Sequence, residues 1–198
     1  MEALPESLER DTIYECVAEM RFQPADESAE ELIPGLVFAR LGNLFRRSAR
    51  QPIAELPRAL RMQDPNLRYQ ATHRLESEEI RLLLGPHVAA AAFARPYRGW
   101  PNVRPMIIEC FRGVLATGVV RLVERISLRY VNLLTEGRDQ FDRTQVAMEV
   151  RLGDFKLGDA GLTIRAEIES DGCVSVVEIA PGATVSVDHA TRPETGKG

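Results

Sequence analysis

Arg125-Ile126-Ser127-Leu128-Arg129-Tyr130-Val131-Asn132 is the stretch that decides how this chain folds. Polar and apolar residues alternate along it with the period of a half-buried strand, and both arginines fall on the polar side. An earlier stretch, Glu15-Cys16-Val17-Ala18-Glu19-Met20-Arg21-Phe22, has the complementary pattern, with two glutamates at the same spacing. Residues four apart in a strand share a face and lie roughly 13 Å apart. If the two strands are neighbours, Glu15 meets Arg129 and Glu19 meets Arg125 in an antiparallel pair. In a parallel pair, Glu15 meets Arg125 and Glu19 meets Arg129. Such a charge ladder contributes about 0.2–1 kcal/mol per exposed pair. The alternative is a groove in which the arginines bind an extended anionic ligand, since one phosphate cannot span both.

Working outward, Tyr14, Cys16, Ala18, Met20 and Phe22 form the apolar side of a first strand over residues 13 to 22. Asp26-Glu27-Ser28 leads into a helix predicted from about Pro34 to Arg47, with Pro34 tolerated in its first turn and Arg46, Arg47 and Arg50 at its C-terminal end. From Ile53 to Phe93 the pattern predicts short antiparallel strands. One of them contains Leu67, Tyr69, Ala71, His73 and Leu75, and the alanines at 89 to 92 fit strand or helix. Tyr97-Arg98-Gly99-Trp100-Pro101 opens a second helix that ends near Thr117. Beyond Thr135, alternation at Val146, Met148, Val150 and Leu152 and then at Leu162, Ile164, Ala166 and Ile168 predicts a β-meander. Its turns are Asp159-Ala160-Gly161, Ser170-Asp171-Gly172 and Ala180-Pro181-Gly182.

The expected fold is therefore α+β: an antiparallel sheet covered by two helices, followed by a C-terminal β-meander. The expected organisation is an α+β lobe over residues 1–135, a meander lobe over 136–188 and a disordered tail over 189–198.

Composition narrows the function classes. A net charge of −4 gives no global attraction for nucleic acid or an anionic membrane. Positive charge is almost entirely arginine, Lys156 and Lys197 being the only lysines. This pattern fits bidentate recognition of anions, but a GC-rich coding bias is the simpler account. No stretch approaches the roughly 20 apolar residues of a membrane helix. Met1-Glu2-Ala3-Leu4-Pro5-Glu6 lacks a signal-peptide layout. Cys16, Cys110 and Cys173 are odd in number and scattered, as expected of buried free thiols in a reduced cytoplasm.

Three motifs together resemble a sporadically distributed family of uncharacterised bacterial proteins. They are Ile13-x-Glu15 followed by Met20-Arg21-Phe22, then Tyr97-x-Gly99-Trp100, then the Arg125–Asn132 stretch. The resemblance covers roughly residues 10 to 135 in order, and only the last motif is specific. Arg10-Asp11-Thr12 replaces the family's proline-containing lead, and Ser127 stands where glycine is usual. Members continue into a further strand and helix, so the second lobe is expected to be a truncated half. The resemblance implies no catalytic residue. The family's patchy distribution implies a defence-associated or toxin–antitoxin-like context.

Motifs for chemistry are sparse. His73, His87 and His189 lie far apart, with neither His-x-x-x-His nor Cys-x-x-Cys, so no metal and no cofactor is expected. No nucleophile elbow, P-loop or dinucleotide turn occurs. The expectation is a non-enzymatic binding or accessory subunit acting on a protein partner or as a homodimer. The alternative is a nucleic-acid or nucleotide-binding protein that uses Arg125, Arg129 and the Arg46/Arg47 group. Tyr97, Arg98 and Trp100 are the best candidates for exposed recognition, because Trp and Arg dominate interface hot spots; the simpler expectation for Trp100 is that it plugs the core where the helix begins.

Overall fold

The computed structural model describes residues 12–26, 28–133, 151–152, 155–156 and 163–180. Strand β1 (Ile13–Pro24) buries every second side chain: Cys16, Ala18, Met20 and Phe22 are enclosed, while Glu15, Val17, Glu19 and Arg21 are half-buried on the other face. Period-two patterning thus becomes a core side and an open side.

Helix α1 (Ala29–Leu41) covers the core side. Asp26 prepares its start by accepting the Ser28 backbone N–H at 2.8 Å and the Ser28 hydroxyl at 2.6 Å. The two Ser28 hydrogen bonds, side chain first, hold the Asp26 carboxyl below its ordinary pKa. The helix begins before Pro34, contrary to the sequence expectation. Ala29, Ile33, Val37 and Leu41 recur every four residues as one buried stripe, and packing that stripe outweighs an interior proline. The helix also stops at Leu41, so Arg46 and Arg47 do not sit at its C-terminus. Arg47 opens strand β2 (Arg47–Arg50) instead.

The segment expected to be a strand around Leu67 and Tyr69 is helical. A 3-10 turn (Pro52–Glu55) precedes α2 (Arg58–Gln63) and α3 (Pro65–Arg68). Asp64 accepts the Asn66 N–H at 2.8 Å and Pro65 occupies the first turn, two start signals that override the local alternation. Strands β3 (His73–Glu76), β4 (Arg81–Gly85) and β5 (Val88–Ala94) follow, and the alanine run is strand. Ala89 and Ala91 lie wholly buried, and Ala90 and Ala92 nearly so.

Helix α4 (Trp100–Leu115) buries Val103, Ile107, Cys110, Phe111 and Val114. Gly99 stands before it at φ +82°, a conformation that glycine adopts without strain. Strand β6 (Val120–Asn132) carries the arginine motif. The six strands form one antiparallel sheet in the order β2-β3-β4-β5-β1-β6, so β2 and β6 are its edges. Helix α4 packs on β5, α1 packs on β4, and the two helices pack on each other. Phe22, Phe45, Met20 and Ile33 are the largest side chains sealed between these layers, each contributing about 1.5–3 kcal/mol by burial.

The chain divides into two compact units, Met1–Leu134 and Thr135–Gly198. In the second, β7 (Arg151–Leu152) pairs with β8 (Phe155–Lys156), and β9 (Ile164–Ser170) pairs with β10 (Cys173–Ile179). The turn between β9 and β10 is Asp171-Gly172 with both φ positive, at 53° and 74°, the geometry that its sequence predicts. The expected strand through Val146, Met148 and Val150 lies outside the described residues, as does the tail from 189. Cys16 and Cys110 are buried free thiols, and burial pushes Cys110 up to about 12. Cys173 is exposed, contrary to expectation, in a strand whose every residue is exposed.

Candidate functional site: the open sheet face and the β6 edge

Strand β6 runs antiparallel to β1, which selects the Glu15–Arg129 and Glu19–Arg125 pairing. The contacts are diagonal rather than directly across. Glu15 stands opposite Val131 and Glu19 opposite Ser127, and each arginine reaches over two positions to its glutamate. Arg129 Nη2 lies 3.1 Å from Glu15 Oε2, and Arg125 Nη2 lies 3.1 Å from Glu19 Oε1.

The register has a second consequence. Arg125 stands directly across from Arg21, a like-charge pairing that weakens a sheet. Glu19 resolves it by using one oxygen twice: Oε1 accepts Arg21 Nε at 2.7 Å and Arg125 Nη2 at 3.1 Å. Glu15 is flanked likewise, by Arg129 and by Arg81 Nη2 at 3.8 Å. Arg125 and Arg129 remain mostly exposed beyond these contacts.

Opposite this charged row stands Tyr69, delivered by the α3 turn. Gly85 permits the approach, since a Cβ there would lie 2.5 Å from the Gln70 carbonyl oxygen. The Arg21 guanidinium lies 4.3 Å from the Tyr69 ring centre and that of Arg68 lies 5.5 Å away. The Tyr69 hydroxyl donates to Glu124 at 3.2 Å, and Gln23 Nε2 donates to the other Glu124 oxygen at 3.0 Å. These bonds, the Gln23 one first, lower the Glu124 pKa. Between Tyr69 and β1 lies a cavity of about 410 Å³. The sequence placed Tyr69 in a strand and so missed it as a groove residue; Asp64-Pro65-Asn66 was the signal for its true position.

On the core side, β6 presents Ile126, Leu128 and Tyr130 in register with Met20, Ala18 and Cys16. Among the described residues, the helices make their main sheet contacts with β5 and β4 rather than with this edge. Ile126 is 65% exposed, Leu128 42% and Tyr130 37%. Tyr97 lies edge-on to Tyr130, with ring centres 5.9 Å apart and hydroxyls at 3.3 Å. Burial first, and then this hydrogen bond, raise the Tyr130 pKa. Two motif segments therefore meet here, Tyr97 from the loop before α4 and Tyr130 from β6.

Other candidates lie apart. Arg98 pairs with Glu79 at 2.6 Å, and Trp100, 42% exposed, is the first residue of α4. Arg46 lies 3.5 Å from Glu78, both fully in solvent. Arg46 and Arg47 belong to the β2 edge, five strand spacings or about 24 Å from β6. They form no continuous face with Arg125 and Arg129. Among the described residues, no three His, Cys, Asp or Glu side chains gather in a way that could hold a metal ion, and no helix is long and apolar enough to cross a membrane. Compared with protein-family models, curated proteins and solved structures, the chain matches none.

Proposed function

We propose that this protein is a binding subunit that acts through protein–protein contacts, and that its partner is a second copy of the same chain joined edge to edge through β6. The observation that carries this reading is the state of that edge. Among the described residues no strand pairs with its outer side, and its core-side apolar residues are exposed. Exposed edges are normally blunted by shortness, bulges, proline or lysine. Here the register shifts fall near Arg21/Phe22 and Gln23/Pro24 and at the Ile13 end. The run from Arg125 to Val131 between them is regular and contains neither proline nor lysine.

This run complements itself. An antiparallel pair centred on Leu128 sets Leu128 against Leu128 of the second copy and Ile126 against its Tyr130. On the other face, Ser127 meets Arg129 and Arg125 meets Val131, so no like charges stand opposed. Centring on Ser127 would oppose Arg125 to Arg129, which disfavours that register. Light scattering across a concentration series tests the proposal: twice the chain mass is expected, with reversion towards one chain in Leu128→Lys. A single chain at every concentration would sink it. The nucleic-acid alternative draws less support, because its two arginine groups lie on opposite edges of the sheet.

A further inference from the structure

We infer that the open face of the sheet is a binding site for a small, elongated organic dianion bearing carboxylate or phosphate groups. The cavity of about 410 Å³ falls within the ~300–1,000 Å³ range of small-molecule sites. Its floor includes Val17, Ala90 and Ala92, short side chains that leave room above a central part of the sheet where bulkier residues would fill it. Arg21 and Arg129 both line the cavity, and Arg129 stands across from Val17, four residues or roughly 13 Å along β1 from Arg21, so a single anionic group cannot engage both.

Charge favours an anion over a cation. Around the two carboxylates Glu15 and Glu19 stand four guanidiniums, those of Arg21, Arg81, Arg125 and Arg129. The carboxylate side chains are the sheltered partners, 14% and 25% exposed, whereas the Arg129 side chain is 67% exposed and offers further N–H donors to the groove. The Arg21 guanidinium lies 4.3 Å from the Tyr69 ring centre while its Nε contacts Glu19 at 2.7 Å, two contacts that anchor the side chain at this end of the cavity. One anionic group is therefore assigned to Arg21 and the other to Arg129, with an apolar middle over Val17, Ala90 and Ala92.

This site uses side chains on the open face of β1, β5 and β6, not the outer backbone edge of β6, so a single-chain mass leaves it standing. Calorimetric titration of the full chain at low salt tests it, with suberate and hexane-1,6-bisphosphate as dianions and octanoate as the single-charge control. Saturable binding of one dianion is expected, and the better one tells carboxylate from phosphate. Octanoate, and the dianion with Arg21→Gln or Arg129→Gln, should bind about tenfold more weakly, the scale of one charge-assisted hydrogen bond. Glu15→Gln, which preserves volume and releases Arg129 from its carboxylate, should bind the dianion more tightly. A purely structural ladder predicts the opposite sign for that variant. Absence of saturable binding by either dianion, or weaker binding in folded Glu15→Gln, overturns the proposal.

Discussion

The two edges of the six-stranded sheet are built in opposite ways. Strand β2 has four residues, begins and ends in arginine, and exposes no large apolar side chain. Strand β6 has thirteen residues and exposes Leu122, Ile126, Leu128 and Tyr130. A short charged edge offers little to pair with, whereas a long regular one is a template for another strand. The same sheet therefore has one side closed to association and one side open to it.

The largest expected effect breaks this contrast at the open edge. Leu128→Lys should weaken self-association about a hundredfold, because it sets an unpaired charge at the centre of an apolar contact. Ala49→Lys on β2 should leave the mass unchanged in the same light-scattering series. Next comes the attachment of β6 to the sheet. Glu19→Ala removes a carboxylate that both Arg21 and Arg125 contact, leaving those arginines facing each other. Urea denaturation should register a loss of about 1–2 kcal/mol. Glu78→Ala, whose Arg46 contact lies wholly in solvent, should stay within about 0.5 kcal/mol of the parent. Double charge reversal sharpens the point: Glu19→Arg alone should destabilise, and adding Arg125→Glu should recover about 0.5–1 kcal/mol. No recovery would argue against the pairing.

The smallest effect lies between the edges, at His87. Its ring is 6% exposed, with Nδ1 3.3 Å from the Phe22 carbonyl oxygen and the ring edge-on to Tyr69. Burial, and then the positive charge of Arg68, push its pKa below the ordinary histidine value, against a smaller opposing pull from the Phe22 carbonyl and Glu124. The unfolded chain therefore binds a proton at a higher pH than the folded one does. Stability from this group is complete above the ordinary histidine pKa near 6.5 and declines as pH falls from there towards the depressed folded value. His87→Gln should flatten that decline in denaturation measured from pH 7 to 5.

Much of the sheet could be read from the chain because period-two alternation is strong where one face is sealed. The faces of β1 and β6 and the α+β class follow from it, and so does a glutamate–arginine ladder between them; which glutamate meets which arginine does not, because alternation is the same for parallel and antiparallel neighbours. The diagonal offset does not, since the register is set where β1 and β6 slip against each other near Phe22 and Pro24, at bulges that leave no distinct residue signature. The groove was half legible. Its charged wall was visible in the motifs, but Leu67, Tyr69 and Ala71 mimic a strand, and the helix signals at Asp64 and Pro65 decide the matter only when weighed above alternation. The exposure of Ile126 and Leu128 was hidden for another reason: a strand's pattern tells which side is apolar, not whether a helix reaches far enough to cover it.

The contacts that fasten β6 join residues 106 and 114 positions apart. During synthesis, β1 therefore emerges before the other five strands of this sheet, and the sheet is completed only when β6 follows. Until residues 120–132 emerge, β1 can pair with β5 alone, and its other margin, with Glu19 and Arg21 not yet joined by Arg125, stands bare. Long-range closure of this kind slows folding and exposes strand edges to the wrong neighbours. The arginine motif is thus the last stitch of the first unit, and a chain stopped before Val120 should aggregate where one stopped after Asn132 does not.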